Sequence, residues 1–222
     1  MIIYHGSSHI IEKPIYGAGN RYNDYGLGFY CTEHLELAEE WAVTEEQNGY
    51  ANRYSLDTEQ LRICHLTLPD YTILHWLALL VDNRTFNVGT AVAKAGKEYL
   101  HDHFLPDISQ YDIVIGCRAD DSYFSFAKAF VNNEISLKQL SMAMYLGDLG
   151  EQVVLKSRKA FDLIEFDDAV PASFEEFYPQ KKKRDDNARS RYREEVMRDD
   201  ISGLYMRDII REEVGPDDPR IR

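Results

Sequence analysis

Cysteine is scarce in this chain: Cys31, Cys64 and Cys117 are the three in 222 residues. The set is odd in number and widely spaced, and each member sits in an apolar, strand-like run. That pattern argues against a disulfide framework and gives no metal-ligand spacing, so the cysteines are read as buried free thiols and no metal is assigned. Long apolar runs are also missing. No window approaches the roughly twenty residues that a membrane helix needs, and the opening Met1-Ile2-Ile3-Tyr4-His5 lacks the basic and apolar regions of a signal peptide. The expectation is a cytoplasmic protein with no membrane partner. Positive charge is in deficit as well, with 25 Lys and Arg against 38 Asp and Glu, a net of −13. An acidic body repels polyphosphate at long range, which disfavours a general nucleic-acid binder. The deficit is uneven: residues 180–222 hold twelve basic and eleven acidic residues, whereas residues 1–179 hold thirteen and twenty-seven. A hydrophobic content of 44% with 12% aromatics is sufficient for one domain with a full core plus an appendage.

Two early segments organise the reading. Ile2-Ile3-Tyr4-His5-Gly6-Ser7-Ser8 and Asp24-Tyr25-Gly26-Leu27-Gly28-Phe29-Tyr30-Cys31-Thr32 are short apolar or aromatic runs interrupted by glycine. Glycine inside a strand pattern marks a bulge or a close approach of the backbone to something else. Two such strands side by side would floor a cleft. Between them, Ile10–Pro14 reads as an edge strand or extended stretch stopped by proline, and residues 17–24 read as a loop.

Further along, Thr32 reads as the N-cap of a helix carrying Leu35, Ala38, Trp41 and Ala42, with Trp41 in the core. Residues 52–58 and 61–68 alternate like strands, with His65 a hydrogen-bonded sheet histidine. Helices follow over Asp70–Arg84 and 88–104, the latter with a stripe of Val92, Ala95, Tyr99 and His103 and with Leu100 and Phe104 alongside. Tyr111–Cys117 has the continuous apolar character of a fully buried strand. The carboxylates Asp120 and Asp121 beyond it are read as a turn or helix cap ahead of acid or base chemistry. One or two helices occupy 125–145, the second capped by Ser136, and Gly147–Gly150 is a turn. Glu151–Ser157 reads as a strand with Phe161–Phe166 as its partner.

As an ordered set these segments resemble the ADP-ribosyltransferase superfamily, in the branch whose site triad is His, Tyr and then Glu or Gln. More narrowly the chain is similar to an uncharacterised bacterial family with that core, through the Gly26-Leu27-Gly28-Phe29-Tyr30 element, Ala38-Glu39-Glu40-Trp41-Ala42, Tyr111–Gly116 and the strand from Gln152. The resemblance spans about residues 1–166. It implies an α+β fold with a split antiparallel sheet core and inserted helices; residues 167–222, outside it, read as a charged helical C-terminal extension. It also implies NAD as co-substrate and transfer of ADP-ribose to a macromolecular acceptor, either protein or nucleic acid. His5 would donate to the adenosine-side ribose, Gly6 and Ser7 would assist, Arg21 could meet a phosphate, and Tyr30 would stack on nicotinamide. Gln152 or Glu151 would be the third residue. Strand pleating sets those two on opposite faces unless a bulge intervenes. Small bacterial proteins of this kind resemble toxins of toxin–antitoxin or conflict systems, so an antitoxin is an expected partner. A non-catalytic module binding NAD, ADP-ribose or a partner protein, and an NAD glycohydrolase, are the alternatives.

The last quarter is outside the resemblance. Lys181-Lys182-Lys183-Arg184 reads as a solvated linker or helix start, because Asp185-Asp186 follow. Pro171 and Pro179 would punctuate the exit, and Phe174, Phe177 and Tyr178 would pin it onto the core. A thin stripe of Tyr192, Val196, Ile201, Leu204, Tyr205, Ile209 and Val214 suggests helices docking on the body or on a partner.

Overall fold

The computed structural model describes residues 1–119, 121–145, 150–198 and 200–222. In chain order the elements are β1 (Ile2–Ser7), β2 (Phe29–Cys31), α1 (Leu35–Ala42), β3 (Gly49–Leu56), β4 (Ile63–His65), α2 (Ile73–Asn83), α3 (Ala91–Phe104), β5 (Ile113–Cys117), α4 (Asp121–Val131), α5 (Leu137–Tyr145), β6 (Glu151–Leu155), α6 (Arg158–Asp162), β7 (Ile164–Ala172), α7 (Phe174–Val196) and α8 (Met206–Arg211). The fold is α+β.

The strands form two sheets, one of order β1-β3-β7 and the other of order β2-β6-β5-β4. Tyr4 and Thr32 tie them together, each amide donating to the other's carbonyl at 2.7 and 2.9 Å. The pleat then sorts the side chains. On β5 and β6, Ile113, Ile115, Val153 and Leu155 pack toward Ile3, Tyr54 and Leu56 of the other sheet. Val114 and Val154 point the opposite way, into the larger helical core with Trp76, Leu77, Phe104 and Phe130. A strand buried on both faces reads as an unbroken apolar run, which is why Ile113–Gly116 contains no polar residue.

Several local expectations are corrected. Ile10–Pro14 forms no strand, and β4 is three residues long. β4 pairs with β5 in parallel, so the core is not wholly antiparallel. Thr32 does not cap α1, because its backbone is held by Tyr4; His34 takes the N-cap position, and the Thr32 hydroxyl accepts from its amide at 3.2 Å. On α3 the expected Leu100 and Phe104 are buried, but they line up with Ala93 and Gly96, one step round the helix from Val92, Ala95, Tyr99 and His103. Ser136 does cap α5: its hydroxyl accepts from the Gln139 amide while the Gln139 side chain accepts from the Ser136 amide. Cys31 and Cys64 are buried thiols and Cys117 is half-buried. Residues 147–149 of the expected turn, together with Asp120, lie outside the described residues.

Residues 161–166 do not partner β6. The chain turns through α6, and β7 pairs with β3 from Leu56↔Ile164 to Gly49↔Ala172, continuing past residue 166 with a register shift at Asp167. Neither proline that was expected to punctuate the exit ends an element: Pro171 is inside β7, opposite Tyr50, and Pro179 is inside α7. β7 is an edge of its sheet, where the missing amide hydrogen of a proline is tolerated. Phe174, Phe177 and Tyr178 pack on Ala42, Val43 and Ala172, as the sequence implies. Beyond them Ala188, Met206, Ile209 and Val214 are buried in the helical core and Tyr192 stacks on Phe126 at 3.9 Å. The extension therefore docks on the body, although Ile201 of the expected stripe is exposed. No helix among the described residues is long and apolar enough to cross a membrane.

Candidate functional site

His5, Tyr30 and Gln152 arrive from three different strands, β1, β2 and β6, and line one cleft of about 370 Å³ together with Gly6, Asp24 and Trp41. Gly6 is there for a steric reason as well as any ligand it meets. A Cβ at this position would lie 2.1 Å from the Ala38 carbonyl oxygen, so α1 can rest on β1 only over a glycine. Gly26, at φ 72°, turns the chain just before β2 and presents its carbonyl to the Tyr30 hydroxyl, which donates to it at 2.6 Å. The same hydroxyl accepts from the Tyr25 amide at 3.0 Å, so the Tyr30 ring is fixed at its far end.

The His5 ring stacks on Phe29 with centroids 4.4 Å apart, and its Nδ1 is 2.7 Å from the Tyr30 carbonyl oxygen. A carbonyl only accepts, so Nδ1 carries the proton. Burial, the largest influence, holds the ring's pKa below the ordinary histidine value and favours the neutral form. Nε2 is then an acceptor. A ligand hydroxyl would donate to His5, which reverses the donor role expected from the sequence.

The pleat decides between the two candidates for the third position. Gln152 shares a face with Val154, is buried, and looks into the cleft; its Nε2 donates to Asp24 Oδ2 at 2.9 Å. Glu151 is on the opposite face, where its carboxylate meets His65 Nε2 at 3.0 Å and the Thr67 hydroxyl. β6 pairs with β5 without a bulge, so nothing brings Glu151 round. His65 is the hydrogen-bonded sheet histidine expected.

Ser7 and Arg21 are not brought to this cleft. The Ser7 hydroxyl donates to the His9 carbonyl and accepts from Asn52 Nδ2. Arg21 is exposed and borders a separate hollow beside Lys156. There the Lys156 amine ties the Tyr25 and Leu27 carbonyls, and burial lowers its pKa to about 8. Of the carboxylate pair after β5, Asp120 and the Asp121 side chain lie outside the described residues.

Sequence reading missed the centre of the site. Asp24 is buried against Gln152, the Ala119 amide at 2.9 Å and Arg84 Nε at 3.0 Å. Burial raises its pKa, opposed first by the Arg84 charge and then by these hydrogen bonds. Trp41, expected in the core, is half-buried and forms cleft wall, with the Arg118 guanidinium 3.8 Å above its ring. Lys181, in the stretch expected to be solvated, reaches the same cleft from α7. One face of that helix (181, 184, 185, 188) turns toward the body, and Arg184 binds the buried Glu40 carboxylate at 2.8 Å. A signal was present: Lys181, Arg184 and Ala188 follow helical spacing.

Arg84, Arg118 and Lys181 thus stand around one compensated carboxylate in a chain that is acidic elsewhere. Such a cleft suits an anionic ligand with an aromatic part and hydroxyl donors, and a second hollow of about 350 Å³ shares Trp41, Arg118 and Lys181 with it. NAD, the group the resemblance implies, is a molecule with those features. Among the described residues no cluster of three or more His, Cys, Asp or Glu is arranged to hold a metal. A comparison with curated proteins and one with solved structures give no match. A family model matches residues 1–166, which hold every cleft residue named above except Lys181, and the chain belongs to the family described as "Protein of unknown function (DUF3990)".

Proposed function

We propose that the cleft binds NAD and that the protein transfers its ADP-ribosyl group to a macromolecular acceptor, acting inside the cell as the toxin of a toxin–antitoxin or conflict system. The observation that carries this reading is the convergence of His5, Tyr30 and Gln152 on one cleft bordered by Arg84, Arg118 and Lys181. In the reaction the bond from ribose C1′ to the nicotinamide nitrogen breaks, nicotinamide leaves with the bonding pair, and an acceptor nucleophile bonds C1′ and gives up its proton. Water in the acceptor's place gives NAD hydrolysis. His5 Nε2 and Gln152 would hold ribose hydroxyls, Tyr30 would stack on the leaving ring, and the basic side chains would meet the pyrophosphate.

A second reading, binding without turnover, is favoured by one observation. Gln152 places no charge at the ribose, and Asp24, the carboxylate it is bonded to, is neutralised by Arg84.

Calorimetric titration of NAD into the full chain, with nicotinamide release followed in the same sample, tests both readings. Wild type should bind, His5→Ala, Tyr30→Ala and Gln152→Ala should each lose tenfold or more in affinity, and Glu151→Ala should bind as wild type does. Release without an added acceptor marks a hydrolase, and binding without release marks the silent module. Absence of binding by wild type overturns the nucleotide site.

A further inference from the structure

Gln152 is the residue through which the cleft would read a ligand, and a glutamine side chain can present either of two opposite ends. Its NH2 end donates and its carbonyl end accepts, and nothing in the covalent structure chooses between them. Here the choice is made by a neighbour. Asp24 Oδ2 lies 2.9 Å from Gln152 Nε2, and an ionised carboxylate only accepts, so the NH2 end must face it. Asp24 is itself held on the remaining sides: the Ala119 amide donates to the same Oδ2 and Arg84 Nε lies 3.0 Å from Oδ1. Reversing the glutamine amide would set its oxygen against a carboxylate oxygen in a buried place. Among the described residues, Gln152 Oε1 accepts no hydrogen bond and is not sealed from solvent. It is the end left for the cleft.

We propose that Asp24 is a positioning residue that holds the Gln152 amide by its NH2 end and so presents Oε1 as an acceptor, making the cleft selective for a ligand that offers a hydroxyl donor at this point, such as a furanose diol. The proposal rests on the nucleotide reading for the identity of the ligand but not for the contact between residues 24 and 152. His5 reinforces it, because its free Nε2 is also an acceptor. A cleft lined by two acceptors and a basic rim recognises a hydroxylated sugar carrying phosphate and disfavours its deoxy counterpart.

The test uses the full chain in four forms: wild type, Asp24→Asn, Gln152→Glu and the double variant. The first readout needs no ligand. Gln152→Glu sets two carboxylates together and should lower Tm by at least about 4 °C, whereas the same change made in the Asp24→Asn background should cost less than half of that. Equal cost in both backgrounds overturns the positioning contact. If Asp24→Asn fails to fold, the Gln152 side-chain NH2 resonances of wild-type protein decide instead. Slow exchange and a downfield shift of one proton support the contact, and resonances like those of exposed glutamines overturn it. The second readout compares NAD with its analogue lacking the 2′-hydroxyl on the nicotinamide ribose. Wild type should prefer NAD by about fivefold to tenfold, the yield of one hydrogen bond in a partly buried site. Asp24→Asn should bring that preference close to unity by weakening NAD alone, whereas a merely structural role would weaken both ligands alike. Absence of NAD binding by wild type overturns the ligand half, and the coupling between positions 24 and 152 then still decides the positioning half.

Discussion

Arg84 and Arg220 both grip carboxylates, Arg84 at Asp24 beneath the cleft and Arg220 at Glu212 and Asp218 near the C-terminus. On contact distance alone the second cluster looks stronger, at 2.5 and 2.8 Å against 3.0 Å. Exposure reverses the ranking. The Asp24 side chain is 6% exposed and Arg84 22%, whereas Arg220 is 47% exposed and Glu212 37%. Water and salt screen the terminal cluster, and most of its attraction is recovered by hydration when it is broken. Asp24 has no such recourse, since a buried carboxylate that loses its cation stays desolvated. The same residue chemistry therefore shapes a site in one place and decorates a surface in the other.

The comparison breaks most visibly at Arg84. Arg84→Met keeps an apolar stem against Phe124 but strips Asp24 of its charge partner, and should cost about 3 kcal/mol, a fall of roughly 6–12 °C in Tm. The fall should shrink on acidification, because protonated Asp24 needs no cation. A loss under about 2 °C at neutral pH would show that Asp24 is already neutral there.

His5 sharpens the contrast through proton binding. Its folded pKa lies below the ordinary 6.5, with burial the leading cause, so the unfolded chain takes up the proton first as pH falls. Stability should therefore decline as pH drops through about 6.5, by at most about 1.4 kcal/mol per pH unit for this one group, until the folded ring protonates too. Chemical denaturation from pH 7.5 to 5 should show a shallower slope for His5→Gln than for wild type, and identical slopes would mean the ring is not buried as described. The smallest effect belongs to the terminal cluster: Arg220→Ala should leave Tm within measurement error at physiological salt, and a shift of several degrees would place that cluster among the structural contacts.

How much of this was legible beforehand depends on the distance over which each signal acts. Ser136 was readable as a cap because capping closes within one turn, and the opposite facing of Glu151 and Gln152 on β6 was readable because pleating alternates residue by residue, although which of the two meets the cleft was not. Thr32 failed as a cap because a backbone pairing with Tyr4, twenty-eight positions away, took precedence over its local preference. The strand after Gln152 was assigned the wrong partner for the same reason: adjacency favoured β6, while the inter-sheet core drew residues 164–172 to β3. Asp24 was invisible as a site residue because its meaning comes from Arg84, Ala119 and Gln152, none of which is near it in sequence. Trp41 and Lys181 were misjudged because burial belongs to the assembled surface, where α7 closes over α1.

β7 crosses residue 166, the last position of the family match, and continues to Ala172. A fragment cut at that point would keep Tyr54 opposite Phe166 but leave Gly49–Arg53 facing empty space, a row of unsatisfied amides and carbonyls in the middle of what had been a finished sheet. Such an edge recruits the nearest strand of any other copy. The segment that gives the family its definition is thus prone to self-association when expressed alone, and material made for crystals or assays should carry the whole chain.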